Sequence, residues 1–311
     1  MVRIARTDLD VYPLCLGGNV FGWTADDDQS FAVLDAYTQA GGNFIDTADA
    51  YSAWVPGNTG GESEVIIGKW LASRGNRDEM VIATKVGWAP GFLGLSEANI
   101  KAAADTSLAR LQTDHIDLYY AHFDDPDVPL EEALGALDGL VRAGKVRYVA
   151  ASNYSAPRLA EALAVAEREG FVRYVAVQPR YNMIDRERYP VELADLIADE
   201  DIACLPYVGL ADGFLTGKYR QGASPVDSVR AEAVAKHMHS RGFAALEALD
   251  EVAAAHETSL ASTALAWLGA QRSVLAPIAS ARTVEQVADL VASVDIKLSA
   301  AELDRLTGFT G

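Results

Sequence analysis

Apolar runs of four to seven residues recur along the chain, separated by longer stretches in which apolar positions return at spacings of three and four. A short run of the first kind fits a strand buried on both faces, and the second pattern fits a helix with one buried face. Strands read in this way fall near 14–17, 43–46, 80–85, 115–121, 146–151, 174–178, 202–206 and 274–278. Helices fall at Gln29 to Ala40, Glu62 to Ser73, Ser96 to Leu111, Leu130 to Ala143, Ala156 to Glu169 and Pro190 to Asp199. No Pro/Gly/Ser-rich linker interrupts the alternation, which predicts parallel strands and crossover helices in one domain over residues 1–311. Eight such repeats make a single (β/α)8 TIM barrel, and this length is ordinary for one. The opening segments, Val2-Arg3-Ile4-Ala5 and Leu9-Asp10-Val11-Tyr12, predict a short hairpin ahead of it. Two intervals break the rhythm. Residues 207–245 hold a loop and a helical stretch before a helix at Leu260 to Gly269, and residues 295–309 add a C-terminal helix; both are expected to cap the barrel.

The chemistry collects where the strand-like runs stop. Asp46 follows Asn43-Phe44-Ile45, with Tyr51 shortly after; Lys85 follows Met80-Val81-Ile82-Ala83-Thr84; His122 follows Ile116-Asp117-Leu118-Tyr119-Tyr120-Ala121. In a parallel barrel the carboxyl ends of the strands converge on one mouth, which brings the four side chains together. A phenol with an ordinary pKa near 10 is a poor acid at neutral pH, so a cation beside it is expected to favour the phenolate and lower that value. Lys85 is the cation, Asp46 is the counter-charge that keeps it ionised, and the tyrosine becomes a proton donor to a carbonyl. His122 can point a ring N–H at the same oxygen. Taken singly, each has an ordinary reading: Tyr51 as a packing residue, Lys85 as a solvated strand end, His122 as a satisfied core histidine.

These residues also carry a resemblance. Leu14-Cys15-Leu16-Gly17-Gly18, Phe44-Ile45-Asp46-Thr47-Ala48-Asp49-Ala50-Tyr51, Ala83-Thr84-Lys85, Asp117-Leu118-Tyr119-Tyr120-Ala121-His122, Ser152-Asn153, Val177-Gln178 and Gly213-Phe214-Leu215-Thr216-Gly217-Lys218 occur in order across nearly the whole chain. Together they resemble the aldo-keto reductase family. The resemblance implies an N-terminal hairpin at the barrel floor, reversible carbonyl reduction, and a nicotinamide dinucleotide lying extended across the mouth. Ser152, Asn153 and Gln178 would bond the carboxamide, Tyr207 would stack on the ring, and Gly17, Gly18 and Asn19 would lie close by. The stretch from Leu210 through Gly213 to Lys218 would hold the pyrophosphate. Here Val208 and Gly209 stand where many relatives have Ser and Pro, which removes one hydroxyl contact. Ser280 and Arg282, with Gln286 at the adenine end, favour the 2′-phosphorylated cofactor, NADP(H), because a guanidinium matches a phosphate in geometry. Arg282 also reads as a simple helix-start residue. Trp23, Trp54, Trp88 and Phe123 follow strand ends and would line an aromatic pocket for a small-molecule aldehyde or ketone. The same fold also serves regulatory proteins resembling potassium-channel β subunits, and a reductase site can work mainly as an alcohol or sugar dehydrogenase.

Other cofactor arrangements are disfavoured. Gly17-Gly18-Asn19-Val20-Phe21-Gly22 is not G-x-G-x-x-G opening a helix, so a doubly wound dinucleotide fold is not expected. Cys15 and Cys204 have no metal-like spacing and read as buried spacers, with no metal implied. A net charge of −18 argues against a nucleic-acid partner and leaves an anionic cofactor dependent on a few local cations. No apolar run is long enough to span a membrane and residues 1–8 lack a secretory signal, so a cytoplasmic location is the expectation.

Overall fold

A computed structural model describes residues 1–224 and 226–309. Position 225 and residues 310–311 of the predicted domain lie outside the described residues. The chain opens with an antiparallel hairpin, β1 (Val2–Arg3) and β2 (Asp10–Val11). Eight parallel strands follow: β3 (Cys15–Gly17), β4 (Phe44–Asp46), β5 (Val81–Val86), β8 (Ile116–Ala121), β9 (Val146–Ser152), β10 (Tyr174–Gln178), β11 (Ala203–Cys204) and β12 (Ile278–Ala279). Between β5 and β8 a second small hairpin, β6 (Trp88–Ala89) and β7 (Phe92–Leu93), leaves the sheet. Neighbours along the sheet are sequential in the chain except that β12 pairs with β3, Ile278 opposite Cys15. The other edge meets the run leading into β12, where the Leu275 N–H donates to the Cys204 carbonyl at 2.9 Å and the Ile278 N–H to the Pro206 carbonyl at 2.8 Å. These bonds close the (β/α)8 barrel.

Strand alternation sorts the side chains into two cores. Phe44, Ala83, Leu118, Tyr120, Ala150 and Ala176 point inward and meet Ile4, Leu9 and Val11 of the opening hairpin, which plugs the floor. Their sequence neighbours Ile45, Ile82, Tyr119, Ala151 and Val177 point outward against the helices. Those helices are α1 (Asp27–Gln39), α2 (Glu62–Arg74), α3 (Glu97–Leu111), α4 (Leu130–Arg142), α5 (Ala156–Glu169) and α6 (Val191–Asp199). Side-chain caps fix several starts: Asp26 closes a capping box on α1, and Ser96 and Ser155 accept from the first turns of α3 and α5. After β11 come α7 (Ala231–Ala235), α8 (Ser240–Ala255) and α9 (Leu260–Gly269), and after β12 come α10 (Val284–Ala292) and α11 (Ala300–Thr307). No helix among the described residues is long and apolar enough to cross a membrane.

Candidate active site

On β4 and β5 the inward positions after Phe44 and Ala83 are Asp46 and Lys85, so the alternation that buries the core also drives two charges into the barrel. Lys85 is fully buried and uses all three donors: Nζ lies 2.6 Å from Asp46 Oδ2, 2.8 Å from the Thr47 carbonyl and 2.9 Å from Tyr51 Oη. Tyr51 donates to Asp46 Oδ2 at 3.2 Å, and Gln178 Nε2 donates to Asp46 Oδ1 at 2.8 Å. His122 ends the next inward row. Its Nδ1 is buried with no partner among the described residues, and its ring lies 6.3 Å from that of Tyr51. Strand ends thus bring Asp46, Lys85 and His122 together, and Tyr51 joins them from the loop after β4.

The electrostatics differ from expectation at one point. Burial and the Asp46 carboxylate, to which the phenol donates, push Tyr51 well above its usual 10. The Lys85 ammonium, 2.9 Å away and shared with Asp46, does not outweigh them. The phenol is thus held in its proton-bearing form. Burial first, and Lys85 second, push His122 well below 6.5, so its imidazole is neutral near pH 7.

A cleft of about 370 Å³ runs from Asp46 and Tyr51 past Tyr207 and the 208–213 loop to Ser280, Arg282 and Gln286. Asn19, Leu210, Gly213 and Lys218 also line it. Within the loop Val208, Ala211, Asp212 and Gly213 have φ of 59°, 49°, 60° and 99°. Left-handed turns can aim backbone N–H groups at an anion, but here the Ala211 and Gly213 N–H groups donate to the Val208 and Leu210 carbonyls at 2.9 Å each, which leaves Lys218 as the charge beside the loop. A β-branched valine in that region is strained by about 1–3 kcal/mol, and the Asn182 amide holds it by donating to the Val208 carbonyl at 3.1 Å. Gly17 packs so close to Ser280 that a Cβ would come within 2.6 Å of Oγ, and Ser280 in turn donates to Asn19 Oδ1 at 2.6 Å. Arg282 is exposed with no acidic partner within 4.0 Å among the described residues, while Gln286 accepts from its backbone N–H at 2.8 Å.

Ser152, Asn153 and Gln178 converge at the other side of the mouth, where they hold one another. Ser152 donates to the Gln178 carbonyl at 3.0 Å, the Asn153 amide donates to Ser152 Oγ and to the His122 carbonyl at 3.0 Å each, and Tyr207 donates to Asn153 Oδ1 at 2.8 Å. Gly18 is one step behind, its N–H donating to the Asp46 carbonyl at 2.7 Å. The four aromatic residues form a continuous arc about Tyr51 and His122. Trp23 meets Trp54 edge-on at 5.5 Å, Trp54 meets Tyr51 at 6.2 Å, Trp88 meets His122 at 5.3 Å, and Phe123 stacks on His122 at 5.0 Å. Trp54, Trp88 and Phe123 are 43%, 50% and 38% exposed, which marks this apolar patch as unfilled surface rather than core.

The model of the aldo/keto reductase family matches residues 13–310. The chain belongs to the aldo/keto reductase family. Among its relatives, an uncharacterized oxidoreductase, YrpG, of Bacillus subtilis (strain 168) is 36% identical over 95% of this chain and 91% of its own length. Norsolorinic acid reductase B of Aspergillus parasiticus is 32% identical, over 95% of this chain and 80% of its own. A protein of Arabidopsis thaliana named "probable voltage-gated potassium channel subunit beta" is 30% identical, over 94% and 90%. Members of the family generally use nicotinamide cofactors.

Two cleft residues escape a sequence reading. Arg230, half-buried, lies over the Trp23 ring at 5.5 Å and close enough to Arg282 for the two guanidinia to repel, so a second guanidinium serves the same end of the cleft. Asp212 places a carboxylate in the 208–213 loop, but Arg180 at 3.0 Å and Lys236 at 3.3 Å neutralise it. Neither has a local pattern to give it away. Arg230 sits in an irregular segment, and the partners of Asp212 come from distant parts of the chain.

Proposed function

We propose that this protein reduces an aldehyde or ketone to an alcohol, reversibly, with NADPH as hydride donor and Tyr51 as general acid. The observation that carries the reading is the Tyr51 hydroxyl held 2.9 Å from a fully buried lysine at the inner end of the cleft. The cleft suits a long polyanionic dinucleotide: it is elongated, its middle passes the left-handed 208–213 loop and Lys218, and its far end carries Arg230 and Arg282. Ser152, Asn153, Gln178 and Tyr207 would hold the ring end, with Gly18 and Asn19 beside it. Leu210 and Gly213 would lie along the pyrophosphate, and Ser280, Arg282 and Gln286 would take the adenosine end. When bound, the nicotinamide supplies hydride to the carbonyl carbon.

Tyr51 then turns its proton from Asp46 to the substrate oxygen. Lys85 stays on the phenol oxygen and stabilises the charge that develops there as the proton leaves. Neutral His122 orients the carbonyl by donating from its ring. Trp23, Trp54, Trp88 and Phe123 keep water from the carbonyl and receive its apolar body. The likeness to the protein named as a potassium-channel β subunit supports a second reading, a cofactor-binding regulatory subunit, and an alcohol or sugar dehydrogenase is a third. A panel of aldehydes and ketones with NADPH and of alcohols with NADP⁺, followed at 340 nm beside a cofactor-binding titration, separates them. Turnover supports the first; cofactor binding without turnover of any aldehyde, ketone or alcohol supports the second; NADP⁺-dependent alcohol oxidation that far outpaces reduction supports the third.

A further inference from the structure

A second buried ionic group lies behind the barrel wall, outside the cleft. Asp49 and Glu64 are both buried there, and Arg110 reaches them from the last turn of α3. Arg110 Nη1 donates to Glu64 Oε2 at 3.1 Å and to the Asp49 carbonyl at 3.4 Å, and its guanidinium lies flush against Gly61, leaving no room for a Cβ. Glu64 Oε1 accepts from Thr84 Oγ1 at 2.6 Å. Burial and the neighbouring Glu64 push Asp49 up to about 8, so Asp49 holds a proton near pH 7 and Arg110 is left to pair with Glu64.

Each of these contacts touches backbone beside a tetrad residue. Thr84 and Lys85 are consecutive on β5, so the bond that pins Thr84 outside the barrel also fixes the step that carries Lys85 inside it. The Asp49 N–H donates to the Lys85 carbonyl at 3.3 Å, and the Gly61 N–H donates to the Tyr51 carbonyl at 3.1 Å. Tyr51 stands five positions beyond Asp46, in a loop, so strand geometry does not set where its hydroxyl lies relative to Lys85. Arg110 touches that loop at Asp49 and at Gly61, on either side of Tyr51.

We propose that Arg110 and Glu64 are positioning residues, which hold Tyr51 and Lys85 at hydrogen-bonding distance from outside the barrel. The inference rests on Tyr51 being the proton donor. The test places Arg110→Met, Arg110→Lys and Glu64→Gln in the wild type, and Arg110→Met also in Tyr51→Phe, and measures kcat and KM with a good aldehyde and NADPH affinity by tryptophan fluorescence. A displaced reacting group costs up to about a hundredfold, so Arg110→Met is expected to lower kcat by about ten- to a hundredfold. KM and cofactor affinity stay within about twofold, because the binding surfaces are untouched. Arg110→Lys restores part of the loss. In the Tyr51→Phe background, Arg110→Met costs less than about twofold more, since no phenol remains to be placed. Losses that multiply in the double variant, or an unchanged kcat in Arg110→Met, overturn the inference. Should Arg110→Met fail to fold, Glu64→Gln, which keeps the side-chain volume, is read by the same criteria. Normal turnover in Tyr51→Phe overturns the acid assignment and this inference with it, whereas lost turnover there beside an intact Arg110→Met overturns this inference alone.

Discussion

Lys85→Met tests fold and chemistry with one substitution. In the native protein the pair at 2.6 Å is buried on both sides, 0% and 2% exposed. The variant leaves Asp46 with Gln178 on one oxygen and Tyr51 on the other, and without a cation. Deleting one partner of a buried pair costs about 3–5 kcal/mol, and two surviving donors place this case at the low end, about 3 kcal/mol. At about 2–4 °C per kcal/mol, Tm should fall by roughly 6–12 °C. For catalysis, unit charges 2.9 Å apart interact by about 6 kcal/mol at an effective dielectric of about 20. With about half a charge developed on the phenol oxygen, the loss is about 3 kcal/mol, or about a hundredfold in kcat. Thermal scans without cofactor, beside steady-state aldehyde reduction, read both numbers. Adding Asp46→Asn should return most of the Tm and none of the turnover, because no uncompensated ion then remains. A wild-type Tm in Lys85→Met refutes the buried pair, and full turnover refutes the role given to the ammonium.

Tyr51→Phe should keep its cofactor-induced thermal shift and lose about 10²–10⁴-fold in carbonyl reduction; near-normal turnover with a good aldehyde removes it from the acid role. Arg282→Ala should weaken NADPH binding by roughly ten- to a hundredfold or more and leave NADH nearly unchanged, and an equal loss for both would mean that Arg282 supports the loop rather than reading a phosphate. Asp49, faced by Glu64, Arg110 and Tyr119, has a folded pKa raised to about 8. The folded state therefore holds a proton that the unfolded chain releases near 4, so the stability from this group is complete below about 4 and is lost as pH rises through about 8, at about 1.4 kcal/mol per unit. Asp49→Asn should flatten the fall of Tm between pH 5 and 8, and an unchanged slope would mean that Asp49 is ionised throughout.

Alternation made the barrel legible. Seven of the eight apolar runs contain the strand expected of them, because strands buried on both faces leave continuous apolar stretches between amphipathic helices, and the eighth, 274–278, meets β12 only at Ile278. Asp46, Lys85 and His122 were legible for the same reason, since each closes an apolar run at a strand's carboxyl end, whereas Tyr51 lies in the loop after β4, where no alternation places it. The β6–β7 hairpin was not, because strands of two residues are too short to show a period. Arg110 and Glu64 were hidden differently. They sit on α3 and α2 at positions that look like ordinary polar faces, and only the packing of those helices on β5 turns them inward. The environment of Tyr51 was hidden too: residue types pair Lys85 with Asp46, but they do not show that the phenol is itself buried and donates to the same carboxylate.

The seam that closes the barrel joins the 204–206 stretch to residues 273–278, and β12 then pairs with β3 near the amino terminus. Such pairings carry the greatest loop-closure cost. A chain growing from its amino terminus thus has an open sheet with two free edges until almost its whole length has been made. The cleft lies along this seam, drawing one lip from residues 17–24 and the other from residues 207–290. The ligand site is therefore assembled only when the first and last strands meet, so an incomplete chain holds the tetrad strands β4, β5 and β8 but has no cleft to serve them.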